Sequence, residues 1–453
     1  MDPQALILIL AFVTLLIIGM PVAFALGIST FLAVLSIGTL PAPLQVSRTM
    51  ATGIDSFPLL AIPFFVVAGE LMSGGGMARR LLILAEGMVG RFRGGLAYVN
   101  TISCMMFGAI SGSAAAAVSS IGGIMIPQME RAGYKREFGV AVTACSATTG
   151  LVIPPSNIMI VYAVVAQNVS IAAIFLAGFI PGAIMGTALM AASFFVLVRR
   201  PIAAPAPAAA AAPVPAASDA TLSYATPGAV SEPSFLRKAI GALPSLILII
   251  IVLGGILGGA FSATEAAAIA VAYAFILGVL IYRELPMSAL PELLLRSAKT
   301  TGVVFLLIAA SQAMAWILTR QQIPQAVADA MLSLSRSPIV LLLIINLTLL
   351  IVGTFMDMTP AVLIFTPIFL PVAVGLGMDP THFGIVLIMN LCIGLCTPPV
   401  GTCLFIACGV GKTRIESASK AMIPFWIAMI VSLLLVTYVP WFATFLPRIA
   451  GWM

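Results

Sequence analysis

Apolar residues form long stretches from one end of the chain to the other, and short polar or basic segments separate them. A helix needs roughly 20 predominantly apolar residues to cross a bilayer, so these stretches predict about ten transmembrane helices. They lie at about 4–18, 21–38, 57–75, 138–166, 171–198, 243–260, 264–282, 301–318, 383–409 and 421–446. The first two meet at Gly19-Met20-Pro21 and could instead form one kinked helix. The pattern predicts an all-α integral membrane protein.

Two further apolar segments, 95–128 and 338–376, are interrupted near their middle. The interruptions are GAISGSA at 108–114 and GTFMDMTP at 353–360. Each arm has roughly 15 residues, about 22 Å of helix at 1.5 Å per residue, which is short of the ~30 Å hydrocarbon core. We therefore predict two re-entrant hairpins.

Two double prolines interrupt otherwise apolar spans, in TGLVIPPSNIMI at 149–160 and IGLCTPPVGTCL at 393–404. Proline in a helix interior removes a backbone donor and costs about 3 kcal/mol or more. The spans 138–166 and 383–409 are therefore predicted as broken helices. Hairpin and break recur in the same order at offsets of 244–245 residues, which indicates an internal repeat.

Charge predicts that the two copies have opposite orientations. Basic residues follow the first hairpin, whereas the loop after the second, GLGMDPTHFG, has no Lys or Arg. After the double prolines the pattern reverses, since AQNVS is uncharged and GVGKTRIE is basic. By the positive-inside rule the halves are inverted. We predict a first half at 1–198, an Ala/Pro-rich cytoplasmic linker at 199–238 and a second half at 239–453. Residues 284–300 resemble an amphipathic helix on the cytoplasmic surface.

The composition agrees with this interpretation. Hydrophobic residues make up 61% of the 453 and charged residues 8%, against about 25% charged in soluble proteins. The net charge of +6 is modest and lies in loops, so it reports membrane orientation rather than nucleic-acid binding. The N-terminal MDPQALILIL lacks a basic region and is not expected to be a cleaved signal peptide. The six cysteines have no accompanying His or carboxylate and are interpreted as packing residues.

The broken helices offer binding chemistry. Orphan carbonyls at the end of a half-helix suit Na⁺, and the N–H groups that start the next one suit a carboxylate. Pro155 and Pro399 are predicted as the first residues of the second half-helices. Ser156 and Asn157 supply a hydroxyl and an amide beside the first break. The alternative is a pair of proline kinks in which Ser and Asn satisfy the freed backbone groups.

The hairpin tips carry the other candidates. Ser111 and Ser113 offer hydroxyl oxygens, or else serve small-residue helix packing. Asp357 is a carboxylate at predicted mid-depth, where charge is costly and usually functional; alternatively it caps the helix that starts near Thr359. Glu70 and Glu265 are weaker candidates, for which a structural role is favoured.

An enzyme is not expected, because nucleophilic catalysis needs a base and the single histidine, His382, lies in a loop predicted to be periplasmic. The chain has no P-loop for ATP hydrolysis. No organic cofactor is predicted. These observations favour a transporter driven by an ion gradient.

Four stretches then carry a family resemblance: IIGMPVAFALG (17–27), GAISGSAAAAVSSIGGIMIPQMERAGY (108–134), SATTGLVIPPSN (146–157) and GLCTPPVGT (394–402). They resemble the large, DctM-like membrane subunit of tripartite ATP-independent periplasmic (TRAP) transporters, and the resemblance extends over the chain outside 201–234. It implies a multi-pass protein of the bacterial cytoplasmic (inner) membrane with an elevator-type, ion-transporter-superfamily fold. It also implies two partners, a small four-helix DctQ-like membrane subunit and a soluble DctP-like periplasmic binding protein. The implied function is import of a carboxylate by Na⁺ symport.

The resemblance also implies at least two Na⁺ sites and a substrate site. The first Na⁺ site would combine Ser111 and Ser113 with the break from Gly150 through Ile153 to Pro154. The second would combine Gly353 and Asp357 with Gly394, Thr397 and Pro399. The substrate would contact Ser111, Ser156, Asn157 and Asp357. The second break departs from the first, with Val400-Gly401-Thr402 in place of Ser156-Asn157, so ion binding rather than substrate contact is expected there.

Two alternatives remain open from the sequence. One is a self-sufficient Na⁺- or H⁺-coupled anion symporter of the same superfamily, and the other is a purely structural membrane scaffold. Because no long N-terminal extension is seen, the small subunit is expected to be a separate chain.

Overall fold

The computed structural model describes residues 3–38, 41–92, 94–199, 235–335 and 337–453. Within these ranges the chain is helical and contains no strand, which confirms the all-α prediction. The α-helices are α1 (Pro3–Ile17), α2 (Val22–Ile37), α3 (Ala42–Ile54), α4 (Ala61–Gly74), α5 (Met77–Val89), α6 (Gly95–Ser111), α7 (Ala114–Arg131), α8 (Arg136–Thr149), α9 (Asn157–Ala166), α10 (Ile171–Arg199), α11 (Phe235–Leu257), α12 (Ala263–Phe275), α13 (Leu290–Arg320), α14 (Ile323–Leu334), α15 (Pro338–Phe355), α16 (Met358–Gly375), α17 (Pro380–Gly394), α18 (Thr402–Gly411), α19 (Ile415–Tyr438) and α20 (Trp441–Ile449).

Among the described residues, seven helical segments are long and apolar enough to cross a membrane, or eight if the bent pair α8–α9 is one span. The sequence predicted about ten, and the difference arises because helices such as α1, α2 and α17 are apolar but have 17 residues or fewer. Both arms of the second hairpin, α15 and α16, have 18 residues and are each long enough to cross a membrane. Length alone therefore does not establish that this hairpin is re-entrant, which stays a prediction.

Several boundaries differ from the sequence prediction. α13 is continuous from Leu290 to Arg320, so the surface helix predicted at 284–300 and the span predicted at 301–318 form one element. Its only proline, Pro291, lies in the first turn, where it does not interrupt a helix. The span predicted at 421–446 divides into α19 and α20 at Val439-Pro440. The sequence analysis missed α3, α5 and α14, which are short and amphipathic.

The Ala/Pro-rich linker predicted at 199–238 lies largely outside the described residues. Its predicted end falls inside α11, which begins at Phe235. All six cysteines are free and buried, as packing residues would be.

Both double prolines interrupt helices, as predicted. α8 continues into a 3₁₀ turn at Gly150–Val152, and α9 leaves at an angle of 45°. The second half-helices start later than predicted, at Asn157 and Thr402 rather than at Pro155 and Pro399. Ser156 has extended dihedral angles, φ −129° and ψ 125°, so helical geometry cannot begin before Asn157.

Glycine pairs bring each hairpin against its broken helix. A Cβ atom on Gly108 of α6 would lie 3.0 Å from the Gly150 Cα atom. In the second half, a Cβ atom on Gly394 of α17 would lie 2.4 Å from the Gly353 carbonyl carbon of α15. Only glycine permits such close backbone contact. Because each tip follows its glycine by a few residues, both tips lie beside a break.

Tyr162 joins the two broken helices. It belongs to α9 and is fully buried, and its hydroxyl donates a hydrogen bond of 2.6 Å to the carbonyl of Pro380, the first residue of α17. Its ring lies against Gly384, where an added Cβ would approach to 2.3 Å. The contact fixes α9, which follows the first break, against α17, which precedes the second break.

A Tyr162→Phe variant is expected to lower the free energy of unfolding by about 0.5–1.5 kcal/mol, because it removes a part-buried hydrogen bond between two helices. Thermal unfolding of the purified chain measures this. Tyr438→Phe is the matched control, since its hydroxyl also donates to a carbonyl, that of Ile339 at 2.9 Å, but in an exposed setting. Equal losses in the two variants would contradict the expectation.

Candidate functional site

A cavity of about 280 Å³ lies where both hairpin tips, both breaks and the helices α4 and α13 meet. We call it the central cavity. The tips contribute Ser111–Ala116 and Asp357–Thr359, and the breaks contribute Leu151, Asn157, Leu395, Thr402 and Cys403. The opposite wall is formed by α4 and α13. Elements far apart in the sequence thus build one enclosed site.

Four helix N-termini point their first residues at this cavity. They belong to α7, α9, α16 and α18, whose starts at Ala114, Asn157, Met358 and Thr402 all line it. Each N-terminus carries about half a positive charge from its unpaired N–H groups. No Lys or Arg is among the described residues that line the cavity. The groups there that can attract an anion are therefore the backbone N–H groups at these four helix starts.

The first tip is built on Gly112, whose φ of +62° is left-handed. This turn ends α6 and brings the backbone against Asn157, so that a Cβ on Gly112 would lie 2.6 Å from the Asn157 side-chain nitrogen. Ser113 caps α7, accepting a hydrogen bond of 3.2 Å from the Ala116 N–H. Ser111, Ser113 and Asn157 are thereby brought together on one side of the cavity.

Asp357 lines the same cavity from the second tip. It occupies the N-cap position of α16, but its side chain makes no capping hydrogen bond. Asp357 thus occupies the capping position that the sequence offered as its alternative role, but its side chain does not form the capping bond. The carboxylate interacts with the Met358 N–H, the first of α16, and otherwise faces the cavity, where it can bind a ligand.

The other residues predicted for the first site lie behind the cavity wall. Ser156 is 1% exposed, and its hydroxyl has no hydrogen-bond partner among the described residues. Gly150 is at the glycine contact with α6, and Pro154 is buried. Ile153 packs against α10, where a Cβ on Gly182 would lie 2.5 Å from its Cγ1 atom. The predicted roles of Gly150, Ile153 and Pro154 as ion ligands, and of Ser156 as a substrate contact, stay predictions.

The second break is arranged differently. Gly353 and Gly394 form the contact between α15 and α17. The Thr397 hydroxyl donates a hydrogen bond of 2.7 Å to the Ile393 carbonyl. Pro399 is exposed. The N–H groups of Val400 and Gly401 both lie 3.3 Å from the Thr354 carbonyl, to which they donate. These bonds tie the second break to the second tip. None of Gly353, Gly394, Thr397 and Pro399 lines the cavity.

Sequence reasoning missed several residues of the cavity wall. Ser73 of α4, Thr300 of α13 and Cys403 of α18 line it, and so does Glu70 of α4, which the sequence offered only as a weaker candidate with a favoured structural role. The available signal for Glu70 was its place four residues after Val66 and eight after Ile62, on the same helix face. Glu265, by contrast, forms a capping box with Ser262 at the start of α12, which is a structural role.

Comparison with known proteins assigns the family. Residues 9–442 match the family described as "Tripartite ATP-independent periplasmic transporter, DctM component". The chain belongs to this family. It is 39% identical over 398 residues to the C4-dicarboxylate TRAP transporter large permease protein DctM of Pseudomonas aeruginosa, covering 88% of each chain. It is 37% identical over 435 residues to the sialic acid TRAP transporter large permease protein SiaM of Vibrio cholerae, covering 96% of each.

Among solved structures, the fold is similar to that of the YdaH transporter of Alcanivorax borkumensis, with a TM-score of 0.64 over 87% of each chain. Sequence identity is 14%, so this likeness concerns the fold alone. The DctM-family chain is thus a multi-pass membrane protein, the large permease subunit of a TRAP secondary transporter and not an enzyme.

Proposed function

We propose that this DctM-family permease imports an organic acid across the bacterial inner membrane by Na⁺ symport, and that the acid binds through a carboxylate in the central cavity. Its partners in this proposal are a small four-helix membrane subunit and a periplasmic binding protein. The observation that carries the proposal is the meeting of four helix N-termini in one cavity that also holds Asp357. Such a site can hold an anion and a cation together.

The two tips differ in charge, which separates the roles of the two halves. The first side offers neutral donors, the Ser111 and Ser113 hydroxyls and the Asn157 amide. The second side carries the Asp357 carboxylate, which repels an anion and attracts a cation. The acid therefore binds with its carboxylate towards the first tip, and a Na⁺ ion binds beside Asp357.

Both predicted Na⁺ sites are retained in this proposal. The first joins Ser111 and Ser113 to the break from Gly150 to Pro154, and the unpartnered buried hydroxyl of Ser156 supports it because a buried polar group normally has a partner. The second joins Gly353 and Asp357 to the break from Gly394 to Pro399. Ser156, which the sequence predicted as a substrate contact, does not line the cavity, and in this proposal it joins the first Na⁺ site instead.

We propose that the tips and breaks move together against α4 and α13 as an elevator. The contact that supports this motion is Gly69 of α4 against the first tip. A Cβ on Gly69 would lie 2.7 Å from the Ser111 carbonyl oxygen, so the two surfaces meet through backbone. A contact without interlocking side chains permits sliding.

Uptake into proteoliposomes tests this function. The full chain is reconstituted with its small subunit, and radiolabelled succinate and sialic acid are offered with the cognate binding protein. We expect uptake of one of these acids only when both a Na⁺ gradient and the binding protein are present. Uptake by the chain alone would instead establish a self-sufficient symporter. Uptake that persists when choline replaces Na⁺ would contradict Na⁺ coupling.

A further inference from the structure

We infer that Glu70 on α4 weakens binding of the transported anion on the cytoplasmic side and so promotes its release. This inference rests on the proposed function. It concerns a residue of the opposite wall, outside the hairpins and breaks.

The wall formed by α4 and α13 changes in polarity along its length. Ile62 and Val66 of α4, together with Val304 of α13, make one end apolar. Glu70 and Ser73 of α4, together with Thr300 of α13, make the other end polar. Helix geometry places these residues in order, because positions four apart follow one another along a helix face. The polar end is the end at which an anion leaving the cavity would be hydrated.

Flanking charge indicates which side this polar end faces. Ser73 lies one residue before the end of α4, and Arg79 and Arg80 follow in α5. Thr300 on α13 comes directly after Lys299. By the positive-inside rule this end is cytoplasmic. The anion then leaves the cavity past Glu70.

Only two charged side chains line the cavity among the described residues, Glu70 and Asp357. Asp357 belongs to a tip and travels with the anion. Glu70 is fixed on α4, next to Gly69, which touches the first tip in this arrangement. When the first tip touches Gly69, the bound anion therefore lies near the charge of Glu70. After the tip has moved along α4, the anion is far from Glu70.

The charge of Glu70 is not neutralised by an ion pair, since no salt bridge of Glu70 is found within the described ranges. Arg296 is near enough to interact with it electrostatically, but Arg296 is paired with Glu292 one turn earlier on α13. Like charges about 8 Å apart at an effective dielectric constant of about 20 change affinity by roughly tenfold or more. A fixed negative charge at the exit thus makes binding weaker on one side only.

Half-saturation constants measured separately on the two sides of the membrane test this role. The full chain with its small subunit is reconstituted in one orientation, and the acid transported in the uptake assay, succinate or sialic acid, is presented from either side. For Glu70→Gln we expect the cytoplasmic constant to fall about tenfold, the periplasmic constant to stay unchanged and net import to slow. Glu70→Asp should resemble the wild type. Thr300→Lys adds a positive charge at the same rim and should also lower the cytoplasmic constant.

Glu416→Gln is the control, since Glu416 is an exposed carboxylate in the first turn of α19, outside the cavity. It should change neither constant. An equal shift on both sides in Glu70→Gln would overturn the inference, as would no shift in either Glu70→Gln or Thr300→Lys. Absence of Na⁺-dependent transport in the wild type would instead refute the proposed function, so the two failures are distinguishable.

Discussion

An Asp357→Asn variant should fold and insert like the wild type but lose Na⁺-driven uptake by more than 100-fold. Asp357 is the charged group of the second tip, and an asparagine oxygen can still accept from the Met358 N–H that the carboxylate meets. Removing one partner of a desolvated ion contact costs about 3–5 kcal/mol, and each 1.4 kcal/mol corresponds to about tenfold in affinity. The measurement is initial uptake as a function of Na⁺ concentration in proteoliposomes.

The control for this variant is Asp329→Asn, because Asp329 is an exposed carboxylate on α14. It should leave the Na⁺ dependence unchanged. If Asp357→Asn kept the wild-type Na⁺ dependence, the assignment of a cation to the second tip would be wrong. If the chain were a structural scaffold with no transport role, substitutions at the tips, including Ser111→Ala, would also leave Na⁺-driven uptake unchanged.

A Gly394→Ala variant is expected to prevent assembly of the second half. The added methyl group would lie 2.4–2.6 Å from the carbonyl carbon, Cα and oxygen of Gly353, all of them backbone atoms. Backbone cannot yield as a flexible side chain can, so α15 and α17 must separate. Overpacking a well-packed site costs about 1–3 kcal/mol, occasionally more, and here the same shift moves the second tip. We expect a large loss of monodisperse protein in size-exclusion chromatography, and loss of uptake in what remains.

Gly409→Ala is the matched control. It is also a helical glycine of the second half, on α18, and a Cβ there would meet no atom within 4 Å. Alanine is favoured over glycine in a helix by about 1 kcal/mol, so this variant should be as stable as the wild type or more so. Comparable damage from both substitutions would show that the Gly353–Gly394 contact is not what makes position 394 sensitive.

The names of the relatives bear on which component would select the acid in the proposed system. The relatives with assigned acids are named for C4-dicarboxylates, sialic acid and isethionate. These acids share an anionic oxygen group, a carboxylate in the first two and a sulfonate in the third, and differ in the rest of the molecule. A cavity that binds through helix N-termini would recognise the anionic group and would discriminate little between the rest of these molecules. In the proposed system the periplasmic binding protein therefore selects the acid, while the permease supplies ion coupling and passage.

Much of the fold could be predicted from the sequence because hydropathy and proline act locally. The hairpins at 95–128 and 338–376 and the broken helices at 138–166 and 383–409 correspond to α6–α7, α15–α16, α8–α9 and α17–α18. The short amphipathic helices were missed because their stability comes from packing rather than from a long apolar run. The single helix α13 was divided because its first turns are polar while its later ones are apolar, although nothing in the backbone interrupts it.

The sequence by itself determined that this is a helical membrane protein, that it contains two interrupted hairpins and two double-proline breaks, and that Ser111, Asn157 and Asp357 are site candidates. Those conclusions follow from residue type and spacing, which bilayer solvation and backbone sterics constrain directly. Only the tertiary structure decided that four helix N-termini share one cavity, that Ser156 and Pro399 lie outside it and that Glu70 forms part of its wall. Those relations depend on backbone contacts such as Gly108–Gly150 and Gly353–Gly394 between elements remote in sequence, and no local pattern records them.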